Sequence, residues 1–170
     1  MHQKKICMVG VYGTGKTCLV QRFVRSIFSE RYLSTVGVKI DRREVKAAGQ
    51  DVTLILWDLE GRDGTRDISQ SYIRGAHGII YVADGTRRET VEALAELRAL
   101  VEGAIGPVPS VVALNKADLV EDWKLAKAEE ASAGGAGMHR LRTSAKTGEG
   151  VEAAFQWLAE ATVTAEGGKP

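Results

Sequence analysis

Short apolar runs rich in valine, isoleucine and leucine alternate with longer segments in which apolar residues return every three or four positions. Lys5-Ile6-Cys7-Met8-Val9 predicts a buried strand, and Lys16 to Arg25 a helix after it. From Val38 to Ala47 apolar and polar residues alternate, Val38 and Ile40 against Lys39 and Asp41, as in a half-solvated strand. Ala48-Gly49-Gln50-Asp51 is a turn short enough to fold that strand back onto Val52–Trp57. Ile79–Ala83 and Ser110–Leu114 are continuous apolar runs, the pattern of central parallel strands. Between them, Thr86 and Glu89 have capping-box spacing, and Leu94, Leu97 and Val101 share one helical stripe that Gly103 can end. Val151, Ala154, Phe155 and Leu158 form a second such stripe in a last helix. Ala131 to Gly137 is small and glycine-rich and predicts a loop before a short strand at Met138–Leu141. Alternation of this kind predicts a doubly wound α/β sheet with one antiparallel edge strand, and ligands bind such sheets outside the carboxyl ends of the strands.

Composition narrows the function. The 170 residues fit one domain over positions 1–170, with a core at about 4–163 and a flexible tail at 164–170. The 23 basic and 22 acidic side chains nearly cancel, which gives no bulk attraction to nucleic acid or anionic lipid. No stretch approaches the ~20 apolar residues that span a bilayer. His2 is not the glycine that myristoylation needs, and Ala165–Pro170 holds no cysteine for prenylation, so neither lipid is expected. Cys7 and Cys18 fall in apolar segments and are expected to be small core residues. The expectation is a cytoplasmic protein without a lipid anchor of its own; its oligomeric state is not legible.

Four strand-end loops carry the chemistry. Gly10-Val11-Tyr12-Gly13-Thr14-Gly15-Lys16-Thr17 fits G-x-x-x-x-G-K-[ST], with a strand before it and a helix after it. Its backbone can curl so that successive N–H groups point inward onto phosphate oxygens, and the helix adds its positive end. Lys16 can reach the β- and γ-phosphates, and the Thr17 hydroxyl is a hard ligand suited to Mg²⁺. Asp58 ends another strand, where a carboxylate can hold the metal directly or through water. Gly61 offers an N–H to a γ-phosphate. Asn115-Lys116-Ala117-Asp118 follows the strand Val111–Leu114. The Asp118 carboxylate can accept both N1–H and the 2-amino group of guanine, whereas adenine presents an acceptor at N1. Asn115 can bridge base and loop, and the aliphatic stem of Lys116 can cover the ring. In Thr143-Ser144-Ala145-Lys146, a backbone N–H near Ala145 can donate to the guanine 6-oxo group.

These loops, in this order, resemble those of the Ras-like small GTPases, the Rab branch most, over about Lys4 to Leu158; "GKTCLVQRF" and "YLSTVGVKI" are similar beyond the nucleotide motifs. The resemblance implies a P-loop NTPase three-layer fold, with a six-stranded, mostly parallel sheet, one antiparallel strand and five helices. It implies a switch that binds GTP and GDP with Mg²⁺ and slowly hydrolyses GTP. The nucleotide-binding residues it implies are Gly13, Thr14, Gly15, Lys16, Thr17, Cys18, Phe28, Thr35, Gly61, Asn115, Lys116, Asp118, Ser144, Ala145 and Lys146. The implied metal ligands are Thr17, Thr35 and Asp58, and the implied catalytic set is Lys16, Glu60, Gly61 and Arg62. Phe28 stands where an aromatic packs on the guanine, although from the sequence it could equally be core. Protein partners would read the switch segments at about 33–40 and 61–72, with the strand Val38–Ala47 beside them.

The chain departs from the family at Asp58-Leu59-Glu60-Gly61-Arg62, where the usual pattern is Asp-x-Ala-Gly-Gln. Arg62 occupies the place of the glutamine that orients the attacking water. A guanidinium has only donors and cannot accept a proton from water. It can instead lie on the γ-phosphate and stabilise charge. Glu60 brings a carboxylate towards the triphosphate, either repelled by it, paired with Arg62, Lys16 or the metal, or acting as a base. Tyr12 would crowd an arginine arriving from an activator protein. Slow intrinsic hydrolysis is therefore expected, the alternative being a GTP- or GDP-dependent interaction module with little or no turnover. A P-loop kinase or ATPase is disfavoured by the guanine-selecting Asp118.

Overall fold

The computed structural model describes residues 2–26, 28, 38–59 and 70–167. In chain order the elements are β1 (His2–Val9), α1 (Lys16–Arg25), β2 (Val38–Ala47), β3 (Gln50–Leu59), α2 (Gln70–Ile73), β4 (Gly78–Asp84), α3 (Arg88–Ile105), β5 (Ser110–Asn115), α4 (Lys127–Ser132), β6 (His139–Arg142) and α5 (Val151–Gly167). A 3-10 turn at Val120–Asp122 precedes α4. Six strands form one sheet in the order β2-β3-β1-β4-β5-β6. β2 and β3 are antiparallel, and every other pairing is parallel. The fold is thus the mostly parallel sheet with one antiparallel pair and five helices that the resemblance implied.

Strand alternation sends consecutive residues to opposite faces, so a strand of continuous apolar residues is buried on both. In β4, Ile80 and Val82 join α1 and α5 on one face, packing with Leu19, Phe23, Phe155 and Leu158. Ile79, Tyr81 and Ala83 turn to the other face, against Ile73 of α2 and Val91, Leu94, Leu97 and Val101 of α3. The sheet is the middle of three layers. The carboxyl ends of β1, β4, β5 and β6, which run in parallel, share one rim with that of β3, parallel to β1. Among the described residues no helix is long and apolar enough to cross a membrane.

Cys7 is buried and Cys18 half-buried, and both are free thiols. Burial pushes the Cys7 thiol up to about 12, so it behaves as a small apolar core group.

Four expectations are corrected. Thr86 and Glu89 do not cap α3: the Thr86 hydroxyl donates to Asp84 Oδ1 at 2.6 Å, and Glu89 pairs with Arg87 at 3.2 Å. The helix begins at Arg88 and runs past Gly103 to Ile105, where Gly106 follows at φ 78°. Ala104 and Ile105 pack against the core, and that burial outweighs the entropic cost of a helical glycine. Ala131 and Ser132 are not loop but the last turn of α4, where the Ser132 hydroxyl donates to the Ala128 carbonyl at 2.9 Å. Periodicity gave α4 no signal because none of its residues is buried. Finally, Gln50 and Asp51 already belong to β3; the turn is Ala48-Gly49 at φ 49° and 77°, the two-residue hairpin whose positive φ angles suit glycine at its second position.

Candidate nucleotide-binding site

β1 delivers the chain to the loop 10–15 at the rim of the sheet, and α1 starts immediately afterwards. Gly15 is at φ 98° and precedes the first helical turn, which has no side-chain cap and no acidic residue. With no side-chain cap, that end of the helix is placed to turn its amides towards a ligand. A Cβ on Gly15 would lie 2.3 Å from the Asn115 Nδ2, so only glycine lets the two loops approach.

Lys16 is buried, and its ammonium donates to the Gly10 and Val11 carbonyls at 2.9 and 3.3 Å. Burial lowers its pKa to about 8, a fall partly opposed by the Asp58 carboxylate. The Thr17 hydroxyl donates to Asp58 Oδ2 at 2.6 Å, and Asp58 is buried at the penultimate position of β3. Strand β3 thus places a carboxylate against the first turn of α1. The pair is an oxygen-only donor set, which suits a hard divalent cation such as Mg²⁺ that keeps waters and phosphate oxygens as its other ligands. Among the described residues no cluster of three or more His, Cys, Asp or Glu could hold a metal by itself.

On the other side of the loop, Asn115 closes β5. Its amide donates to the Thr14 carbonyl at 2.9 Å, and its carbonyl accepts from the Thr143 hydroxyl at 3.1 Å. Each polar end of Asn115 ties two loops together, and the amide keeps a second N–H. Lys116, at φ 69°, donates to the Gly13 carbonyl at 3.1 Å and pairs with Asp84 at 2.9 Å. Asp118 accepts from the Ser144 hydroxyl at 2.7 Å through Oδ1. A carboxylate has about four acceptor positions, so Asp118 keeps capacity for two further donors. The Ser144 hydroxyl also accepts from the Thr147 amide at 3.1 Å, and the Ser144 amide donates to the Glu149 carbonyl at 2.9 Å. Arg22 of α1 holds the Lys146 carbonyl at 3.1 Å. Gly13 to Cys18, Asp58, Asn115 to Asp118 and Ser144 to Lys146 therefore share one rim.

Phe28 is 37% exposed, so it is not a core side chain. Thr35, Glu60, Gly61 and Arg62 lie outside the described residues. Sequence reading gave no role to Asp84, Thr143, Arg22 or Arg87, each of which fixes a loop of the rim. Asp84 at a strand end, before a glycine, was the one with a local signal; the others act through contacts distant in sequence.

Residues 5–164 match the Ras family. Over 157 residues the chain is 38% identical to the Ras-related protein RIC1 of Oryza sativa subsp. japonica, covering 91% of this chain and 78% of the relative. It is 38% identical to the Ras-related protein Rab-1 of Theileria annulata, covering 92% and 73%. It is 33% identical to the Ras-related protein Rab-13 of Canis lupus familiaris, covering 99% and 84%. With the sheet order, the phosphate-loop geometry and these likenesses together, the chain belongs to the Ras family of GTP-binding small GTPases.

Proposed function

We propose that the protein is a guanine-nucleotide switch that binds GTP and GDP with Mg²⁺ at this rim and turns GTP over slowly. The observation that carries the reading is the convergence of two recognitions. A loop whose backbone can cradle polyphosphate, with Lys16 beside it, adjoins a carboxylate, Asp118, held by Ser144 at 2.7 Å. The Asp118 oxygens would accept the N1–H and 2-amino donors of guanine. The Ala145 amide would donate to the 6-oxo group, and the ring of Phe28 would cover the base. The ammonium of Lys16 is costly to keep charged where it is buried, and a polyphosphate supplies the missing counter-charge.

Thr17 and Asp58, with Thr35 from the first switch, would hold Mg²⁺, which neutralises developing charge on the phosphates. Arg62 stands where a water-orienting glutamine is expected, and a guanidinium accepts no proton. Hydrolysis is therefore slow, and binding outlasts turnover. Partners would read segments 33–40 and 61–72. Ile40, 47% exposed, sits cross-strand from Trp57, and Tyr72 lies 6.4 Å from the Trp57 ring. That gives a protein partner apolar contact beside both switches.

Calorimetric titration of GDP and of ADP into the magnesium-containing protein tests the binding. Heat with GDP and none with ADP is expected, and equal binding of both would overturn the guanine reading. Single-turnover GTP hydrolysis tests the rate: Arg62→Gln should hydrolyse faster than the parent. Loss of turnover in that variant would make Arg62 catalytic.

A further inference from the structure

Each carbonyl from Gly10 to Thr14 is engaged by a side chain. Lys16 takes those of Gly10 and Val11, Lys116 that of Gly13, and Asn115 that of Thr14. The nucleotide motifs supply these four contacts. The Tyr12 carbonyl is held from outside them, by Nη1 of Arg87 at 3.3 Å. Arg87 directly precedes α3, and its backbone is fixed there: its amide donates to the Asp84 carbonyl at 2.9 Å, and its carbonyl accepts from the Thr90 hydroxyl at 2.8 Å. The guanidinium lies against the bend of the loop, where a Cβ on Gly13 would stand 3.0 Å from Nη1.

A trans peptide sets its C=O and N–H in opposite directions. Holding the Tyr12 oxygen outward therefore aims the Gly13 N–H inward, as Lys116 does for Thr14 and Asn115 for Gly15. We propose that Arg87 is a positioning residue of the phosphate loop, completing the set of side-chain-held carbonyls and keeping the Gly13 amide directed at a bound phosphate. Arg87 also links the start of α3 to the loop, so a partner gripping α3 there would change the grip on phosphate.

The inference rests on the nucleotide reading above, and its test separates the two. Release of fluorescently labelled GDP and GTP is followed after a chase with unlabelled nucleotide, in the parent and in Arg87→Met and Arg87→Lys. Arg87→Met, which keeps the apolar stem and loses the donor, should release both nucleotides about fivefold faster, the effect of one exposed charge-assisted hydrogen bond. Arg87→Lys keeps a charged donor and should recover at least half of the difference. The unfolding midpoint of the nucleotide-free protein should not move, because the start of α3 is held by backbone contacts. Release at the parent rate in both variants overturns the proposal. So does faster release matched by an equal loss of nucleotide-free stability, which would make Arg87 only a brace of α3. If the parent itself binds no labelled GDP, the nucleotide reading falls instead.

Discussion

At the residue scale, two side chains set the chemistry of the rim by charge. On the proposed reading Asp118 would carry base choice, because a carboxylate offers only acceptors. In Asp118→Asn the amide offers one acceptor and one donor, which matches xanthine, with its 2-oxo group, instead of guanine. That variant should bind GDP roughly a hundredfold more weakly and gain affinity for xanthosine diphosphate, measured by titration of both. Lys16 carries a cost. Its pKa is lowered to about 8 by burial, so the unfolded chain binds more protons than the folded one between pH 8 and 10.5. Stability of the nucleotide-free protein should therefore rise across that window, by up to roughly 3 kcal/mol from this group. Below pH 8 the cost of the buried charge is constant and fully present. Denaturant unfolding of the parent and of Lys16→Met at both pH limits isolates the effect: the parent should gain on the variant as pH rises, and bound GDP should flatten the gain.

At the element scale, α1 and α5 are fastened to each other and to the sheet edge. Phe23 and Phe155 stack at 4.0 Å with planes 8° apart. Arg43 of β2 lies over the Phe23 ring at 4.2 Å, donates to the Phe23 carbonyl at 2.8 Å and pairs with Glu152 of α5. Phe155→Ala should cost about 3–5 kcal/mol in chemical denaturation, the sum of lost burial and a cavity that the stacked partner cannot fill. Because α1 begins at the phosphate loop, that variant should also weaken GDP binding. The helices with an apolar stripe were legible in the sequence. Thus α1 was read at its observed bounds, and Leu94, Leu97 and Val101 of α3 are buried as their spacing required. The short α4 was not, because it buries nothing and leaves no period to read. The end of α3 was misplaced because glycine is only a weak breaker where Ile105 still has a core to pack against.

At the scale of the whole molecule, the rim is assembled from segments more than a hundred residues apart, so its ligand acts as a clamp on the fold. Asn115 reaches Thr14, and Arg22 reaches Lys146. Free GDP at about a hundredfold its Kd should stabilise the folded state by about 2.7 kcal/mol. For a domain of this size the melting temperature would rise roughly 5–10 °C. A thermal melt with GDP should show that rise, and one with ADP at the same concentration should not.

The sequence by itself determined the alternation of strands and helices, the phosphate-loop motif and the two tetrads proposed to read the base, because these depend on residue type at short spacing. Period, turn chemistry and the order of donors and acceptors are all local properties of the chain. Only the tertiary structure decided which side chain holds which carbonyl. Asn115 proved to be a tie between loops, Asp84 the partner of Lys116, and Arg87 the support of the Tyr12 carbonyl. It also decided between the two readings of Phe28 left open by the sequence, since the side chain is exposed and not part of the core. Such contacts span up to 124 positions of the chain. They exist only once the parallel sheet has brought the strand ends to one rim, and no local pattern encodes a distance of that kind.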